Sequence, residues 1–150
     1  DPVFHKVITD ESVALINNQF LDSLKKETLK TDGIGTRIEL AESSLRIAKQ
    51  IFEAGGEEIV YPVVMRLKEM LVLEHLLANK KYSTSAFRNE ILNCGITQKE
   101  FSSTMNIYKA ARNNKGSEKY RLSRGTMEKL ISLLETKIQH VRQKAAKKRY

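Results

Sequence analysis

Arg112 and Asn113, with Lys119 and Tyr120 across a short polar loop, are the side chains in this sequence best suited to hold a ligand. A guanidinium at the end of a helix lies beside free carbonyls and turn amides, and it can grip a phosphate. The roles open to the four residues are phosphate attraction, loop closure and contact with a base or sugar. Tyr120 suits packing under the turn equally well. A plainer reading also fits: Arg112 offsets the negative end of a helix and Asn113 caps it.

No other cluster supports catalysis. His5, His75 and His140 are scattered, and none has a second His or Cys at a metal-binding spacing. His75, between leucines, reads as a half-buried or rim residue. Cys94, before a glycine, reads as a small buried thiol. Gly33 and Gly35 give G-x-G without a preceding strand or a third glycine, so no phosphate cradle is expected. Glu39, Glu42, Glu53, Glu57 and Glu58 fall where helix surfaces and N-termini are expected, and they do not pair for acid–base work. Met65, Met70, Met105 and Met127 sit at helical spacing with other apolar residues, which marks core. No cofactor and no metal is implied.

Charge is concentrated at one end. The net charge is +8, and Arg142, Lys144, Lys147, Lys148 and Arg149 supply five of those charges, leaving an ordinary +3 elsewhere. Such a tail is either a solvated helix end, favoured by the helix dipole, or an attractor for phosphate backbones. Tyr150 alone is a poor stacking platform, which argues against sequence-specific single-strand binding.

These residues need a scaffold, and the apolar spacing predicts a helical one. Positions 34, 38, 41, 45, 48 and 52 are apolar at intervals of 4, 3, 4, 3 and 4; so are 127, 131, 134, 138, 141 and 145. A first helix is expected over about 11–30, with Val13, Ile16, Phe20 and Leu24 inward, ended by Gly33 and Gly35. Thr36 and Glu39 form a capping box for a helix running to about Ala54, stopped by Gly55 and Gly56. Glu57 and Glu58 precede a third helix that tolerates Pro62 only in its first turn and reaches about Asn79. It is apolar on most sides and reads as the central helix. A short helix over 86–93 follows, closed by Cys94 and Gly95. A second capping box, Thr97 with Glu100, opens a helix whose inner face is Phe101, Met105, Tyr108 and Ala111. Ser123 to Thr126 starts the last long helix.

The expected fold is therefore all-α: an up-and-down bundle of four to five helices plus an N-terminal helix. The chain divides into a helix and linker (1–35), a bundle (36–143) and a basic tail (144–150). At 150 residues with 41% hydrophobic content and a mean hydropathy of −0.41, one domain with an extra element is expected. No apolar run approaches the roughly 20 residues of a membrane span. A single cysteine points to a cytoplasmic location. The opening Asp1-Pro2, without Met, reads as part of a longer chain.

The order of elements resembles the HEPN family (higher eukaryotes and prokaryotes nucleotide-binding) and the substrate-binding domains that accompany minimal nucleotidyltransferases. The residues carrying the likeness are Glu39 to Ala48, then Tyr61 to Leu77, then Lys80-Lys81-Tyr82-Ser83, Asn93-Cys94-Gly95-Ile96 and Tyr108 to Asn113. The likeness covers about residues 36–143. It implies an up-and-down bundle, often dimeric, that either serves a nucleotidyltransferase partner or cleaves RNA. RNA-cleaving members carry an arginine with a histidine four to six residues later. Here Arg112 is followed by Lys115-Gly116-Ser117-Glu118-Lys119, so the proton-transfer group is missing. The Gly-Ser pair and metal-binding aspartates of the nucleotidyltransferases are also missing.

The expectation is thus a non-catalytic, nucleotide- or RNA-binding bundle serving a nucleotidyltransferase in cis or in trans, as a homodimer. Two other classes compete. Ile91, Gly95 and Phe101 fall near the spacing of a DNA-binding helix-turn-helix, with residues 114–122 as a small wing. Alternatively, the two long stripes face a second copy in a scaffolding bundle.

Overall fold

In the computed structural model, which describes residues 33–113, 115–116 and 121–148, both regular apolar stripes lie on helices. Five helices are present among these residues: α1 (Ile34–Glu53), α2 (Val60–Leu77), α3 (Thr84–Asn93), α4 (Gln98–Arg112) and α5 (Arg124–Lys148), with no strand. The chain is an all-α helical bundle. The helix expected over about 11–30 lies outside the described residues.

Local chemistry explains the helix boundaries. After α1, the N–H of Gly56 bonds to the Ile51 carbonyl at 2.8 Å and that of Gly55 to Phe52 at 3.0 Å. Gly55 has φ +83, the left-handed conformation this stop requires. The same motif ends α2 with Asn79 at φ +52, Lys80 bonding back to His75 and Asn79 to Leu76. Ser83 caps α3 by accepting the Ala86 N–H at 3.1 Å. Thr97 and Glu100 form the expected capping box at the start of α4. Pro62 sits in the first turn of α2, where its missing N–H costs nothing.

Two expectations are corrected. Thr36 and Glu39 do not cap α1. The helix begins at Ile34, whose side chain is buried, and Arg37 N–H already bonds to the Gly33 carbonyl at 3.0 Å. On α4 the deepest side chains are Thr104 and Ile107, whereas Phe101, Met105 and Tyr108 pack at the core's edge. Thr104 can be interior because its hydroxyl donates to the Glu100 carbonyl at 2.8 Å.

Helix α2 is the central element, with ten buried residues from Val60 to Leu77. It packs between α1 and α5, and α4 lies against it on a further side. Paired residues give the directions. Arg37 meets Glu69 and Ser44 meets Arg66, so α1 and α2 are antiparallel. Lys49 meets Glu135 and Arg142 meets Glu42, so α5 runs against α1. It therefore runs parallel to α2, and the α3–α4 pair carries the chain back to make that possible.

Both long stripes end inside this arrangement. Ile34, Ile38, Ala41, Leu45, Ala48 and Phe52 are buried on α1, as are Met127, Ile131, Leu134, Ile138 and Val141 on α5. Neither face is left for a second copy, which removes the surface on which the scaffolding expectation was built. No helix among the described residues is long and apolar enough to cross a membrane.

Two carboxylates, Glu69 buried and Glu74 half-buried, lock the core helices. Glu69, 6% exposed, takes Arg37 on one oxygen and Arg66 on the other, both at 2.6 Å. Glu74 takes Lys137 and Lys144, each at 2.8 Å. A carboxylate this withdrawn from water is tolerable only when both oxygens are met by cations.

Candidate functional site

The antiparallel α1 and the parallel α2 and α5 bring three helix ends together: the C-terminus of α1 and the N-termini of α2 and α5. The C-terminal turn of α4 joins them. Between these ends lies an open cleft of about 580 Å³, within the size range of small-molecule sites. Its floor is apolar, from Ile51, Val60, Ile107, Ala111, Leu122 and Met127; Tyr61, Arg121, Glu57 and Glu58 bring the polar groups.

The tyrosine is held in place. The rings of Tyr61 and Tyr108 stack with centroids 5.3 Å apart and planes 16° from parallel. On the other side, the Lys68 ammonium lies 5.4 Å from the Tyr108 centroid and 5.5 Å from that of Phe87. Burial and then the neighbouring Tyr61 push the Tyr108 hydroxyl above its ordinary pKa, while the Arg112 charge pulls the other way. Arg112 is thus close enough to be felt at this aromatic pair.

Arg112 and Asn113 are both exposed. Asn113 caps α4, its N–H reaching the Lys109 and Ala110 carbonyls at 3.1 and 3.2 Å, and Lys115 N–H also reaches the Ala110 carbonyl. The capping role is therefore real for Asn113, and it leaves the Arg112 guanidinium directed to solvent. Among the described residues, neither Arg112 nor Arg121 has a carboxylate within ion-pair distance. Lys119 and Tyr120 lie outside the described residues.

The basic C-terminal residues divide. Helix α5 passes the expected boundary at residue 144 and continues to Lys148. Arg142 is paired with Glu42 at 2.5 Å and Lys144 with Glu74, so both serve the bundle. Lys147 is exposed. Arg149 lies outside the described residues, and Lys148 is placed as the last residue of α5.

Sequence reasoning missed Tyr61, Arg121, Glu57 and Glu58 as lining residues. Their separation in the chain hid them, since they meet only when the α1–α2 and α4–α5 connections reach the same end of the bundle. Elsewhere the chemistry is structural. Burial pushes the Cys94 thiol up, despite partial offsets from the Ile96 backbone and Lys129, and its sulfur donates to the Ile91 carbonyl at 3.0 Å. The thiol is half-buried. His75 is half-buried, with Nδ1 2.9 Å from the Leu71 carbonyl and its ring edge-on to Tyr82. No cluster of three or more His, Cys, Asp or Glu among the described residues has the arrangement of a metal site.

Compared with protein-family models, with curated proteins and with solved structures, the chain matches none.

Proposed function

We propose that this chain is an accessory bundle that binds a nucleotide or an RNA end and serves a nucleotidyltransferase in cis or in trans, as its resemblance to HEPN-type domains implies. The cleft at the end of the bundle is the observation that supports this reading. Its size suits a nucleotide. The apolar floor and the fixed Tyr61 ring suit a base. Arg121, with Arg112 beyond Ala111, suits a phosphate. Glu57 and Glu58 offer acceptors for sugar hydroxyls. On the same reading the protein works in the cytoplasm, and a homodimer would form through a face other than the buried stripes of α1 and α5.

Titration of ATP and of a short 3′-hydroxyl RNA, followed by amide chemical shifts, tests the reading. Saturable shifts at residues 56–61, 107–112 and 121–122 are expected. Arg121→Ala and Arg112→Ala should each weaken binding by about tenfold, the scale of one lost charge-assisted hydrogen bond. Absence of saturation at millimolar ligand rejects it.

A second reading has its own observation. Helices α3 and α4 meet at a tight turn with Gly95 at φ +84, and Gln98, Lys99, Ser102 and Asn106 face outward from α4. Two short helices joined by a glycine turn suit a helix-turn-helix. Gln98 is already bonded to Arg88 at 2.7 Å, and the outward set has one cation, so phosphate attraction there is weak. Duplex DNA binding with a steep salt dependence, lost in Lys99→Ala, would favour it over the cleft.

A further inference from the structure

Among the described residues, three large aliphatic side chains remain exposed, and all three are on α1: Leu40 at 43%, Ile47 at 56% and Ile51 at 37%. Ile51 lines the cleft described above, whereas Leu40 and Ile47 do not. These two are seven residues apart, about two helical turns, and so share one face of α1. The face is separate from the stripe that enters the core.

Each of the two follows a charged residue: Glu39 precedes Leu40 and Arg46 precedes Ile47, and both charges are exposed. Among the described residues Glu39 has no ion pair, and Arg46 reaches only the Ser43 hydroxyl, at 3.0 Å. Ser43 and Ser44, midway between Leu40 and Ile47, keep the surface low enough for a second helix to come close.

This pattern is complementary to itself. When two copies of α1 cross antiparallel at Ser43, a two-fold axis brings Leu40 of each against Ile47 of the other, and Glu39 of each beside Arg46 of the other. A parallel pair would match the charges only with a stagger of about seven residues, which closes no two-fold axis. Helices crossing at the roughly −50° common in globular proteins diverge from their contact. Ile51, about two turns beyond Ser43, then stays clear of the second copy, and the cleft stays open.

We propose that the Leu40–Ile47 face of α1 is the contact between two copies of this chain, with Glu39 and Arg46 setting its antiparallel direction. This face gives the homodimer proposed above its contact and its symmetry, and it rests on that reading. About two helical turns from each copy cover less than the roughly 1,200 Å² of a standard interface, so the dimer is weak and concentration-dependent.

Sedimentation equilibrium of the full chain, from about 10 μM to about 1 mM at low salt, tests this. Reversible dimerisation is expected within that range. Arg46→Glu sets carboxylate against carboxylate at both ends of the contact and should raise the dissociation constant at least about tenfold; Glu39→Arg should do the same. The double reversal, Glu39→Arg with Arg46→Glu, exchanges the charges and should return the constant to within about threefold of the parent. Both positions are exposed, so the melting curves of all variants should match the parent. A dimer indifferent to the single reversals, or a double reversal that binds as weakly as the singles, overturns this face and leaves the homodimer reading standing. A chain that stays monomeric throughout overturns both, and leaves ligand binding at the cleft to its own titration.

Discussion

Lys137 on α5 reaches Glu74 on α2 at 2.8 Å, and both side chains are largely withdrawn from water, at 9% and 13% exposure. The lysine also meets Glu90 of α3 at 2.9 Å, so one ammonium joins three helices. Removing it leaves Glu74 with Lys144 at 2.8 Å and the His140 ring 3.9 Å away, and leaves its Oε2 without the cation it had. Lys137→Met is expected to cost about 3 kcal/mol, the scale of a broken buried pair. Lys137→Met combined with Glu74→Leu should recover most of that loss. Urea denaturation of the two variants, with unchanged slope, measures both values.

The same pair sets a pH dependence. Burial alone would raise the Glu74 pKa, but hydrogen bonds from Lys137 and Lys144 outweigh it and hold the carboxyl below its ordinary value of 4.5. The folded state therefore releases the proton more readily than the unfolded one. Its stabilisation is complete above pH 4.5 and is lost as pH falls through the folded value. Burial would lower the Lys137 pKa, but Glu74 and Glu90 hold it above 10.5. That contribution is complete below 10.5 and is lost as pH rises through the folded value. Stability measured from pH 3 to 11 should fall at both ends, and Lys137→Met should flatten both limbs.

Glu100 offers a site-specific titration. Its carboxylate accepts the Thr126 hydroxyl at 2.6 Å and both the amide and hydroxyl of Thr97 at 2.7 Å, and these bonds hold its pKa down to about 2. The Thr126 bond is the largest contribution. Thr126→Val should move the Glu100 carboxyl resonance midpoint upward toward 4.5, with the Thr97 bonds retaining part of the shift. An unmoved midpoint would show that Thr126 does not hold the carboxylate in solution.

Two glycines should respond to alanine with opposite signs. A Cβ on Gly56 would lie 3.0 Å from the Ile51 carbonyl oxygen and against the Ile51 side chain, crowding the bond that ends α1. Gly56→Ala should destabilise by about 1–2 kcal/mol. Around Gly125, in the first turn of α5, nothing lies within 4 Å. Gly125→Ala should stabilise by about 0.5–1 kcal/mol through helix propensity. Thermal melts of the two variants decide both signs.

The sequence made the long helices legible because their partners are apolar and regularly spaced. All six stripe positions of α1 are buried, and on α5 only Ala145 of the six stays at the core's edge. Local chemistry was legible too, since the Thr97 box, the Ser83 cap and the Gly55 stop depend on residues within a few positions. The box at Thr36 misled because the same residue types occur inside a helix that an upstream buried isoleucine already starts. The face of α4 was misplaced because a threonine bonded to its own helix is apolar in effect though polar in name. The pairs that tie Glu69 to Arg37 and Glu74 to Lys137 were invisible, as these partners lie 32 and 63 residues away. The candidate cleft was not legible: Arg112, picked from the chain, follows the lining residue Ala111 without lining the cleft itself, and Tyr61 and Arg121 acquire meaning only from the parallel run of α2 and α5.

That parallel run also fixes an order of events at the ribosome. Helix α2, the greasiest segment, emerges early, yet the element that shelters it is the last of the five to be translated. A nascent chain stopped at Ser123 would hold α1 and α2 together with one flank of α2 bare, a form that chaperones and hydrophobic dyes should recognise. Completion of this protein is therefore a late, long-range event, unlike the stepwise closure open to a bundle whose neighbours in space are its neighbours in sequence.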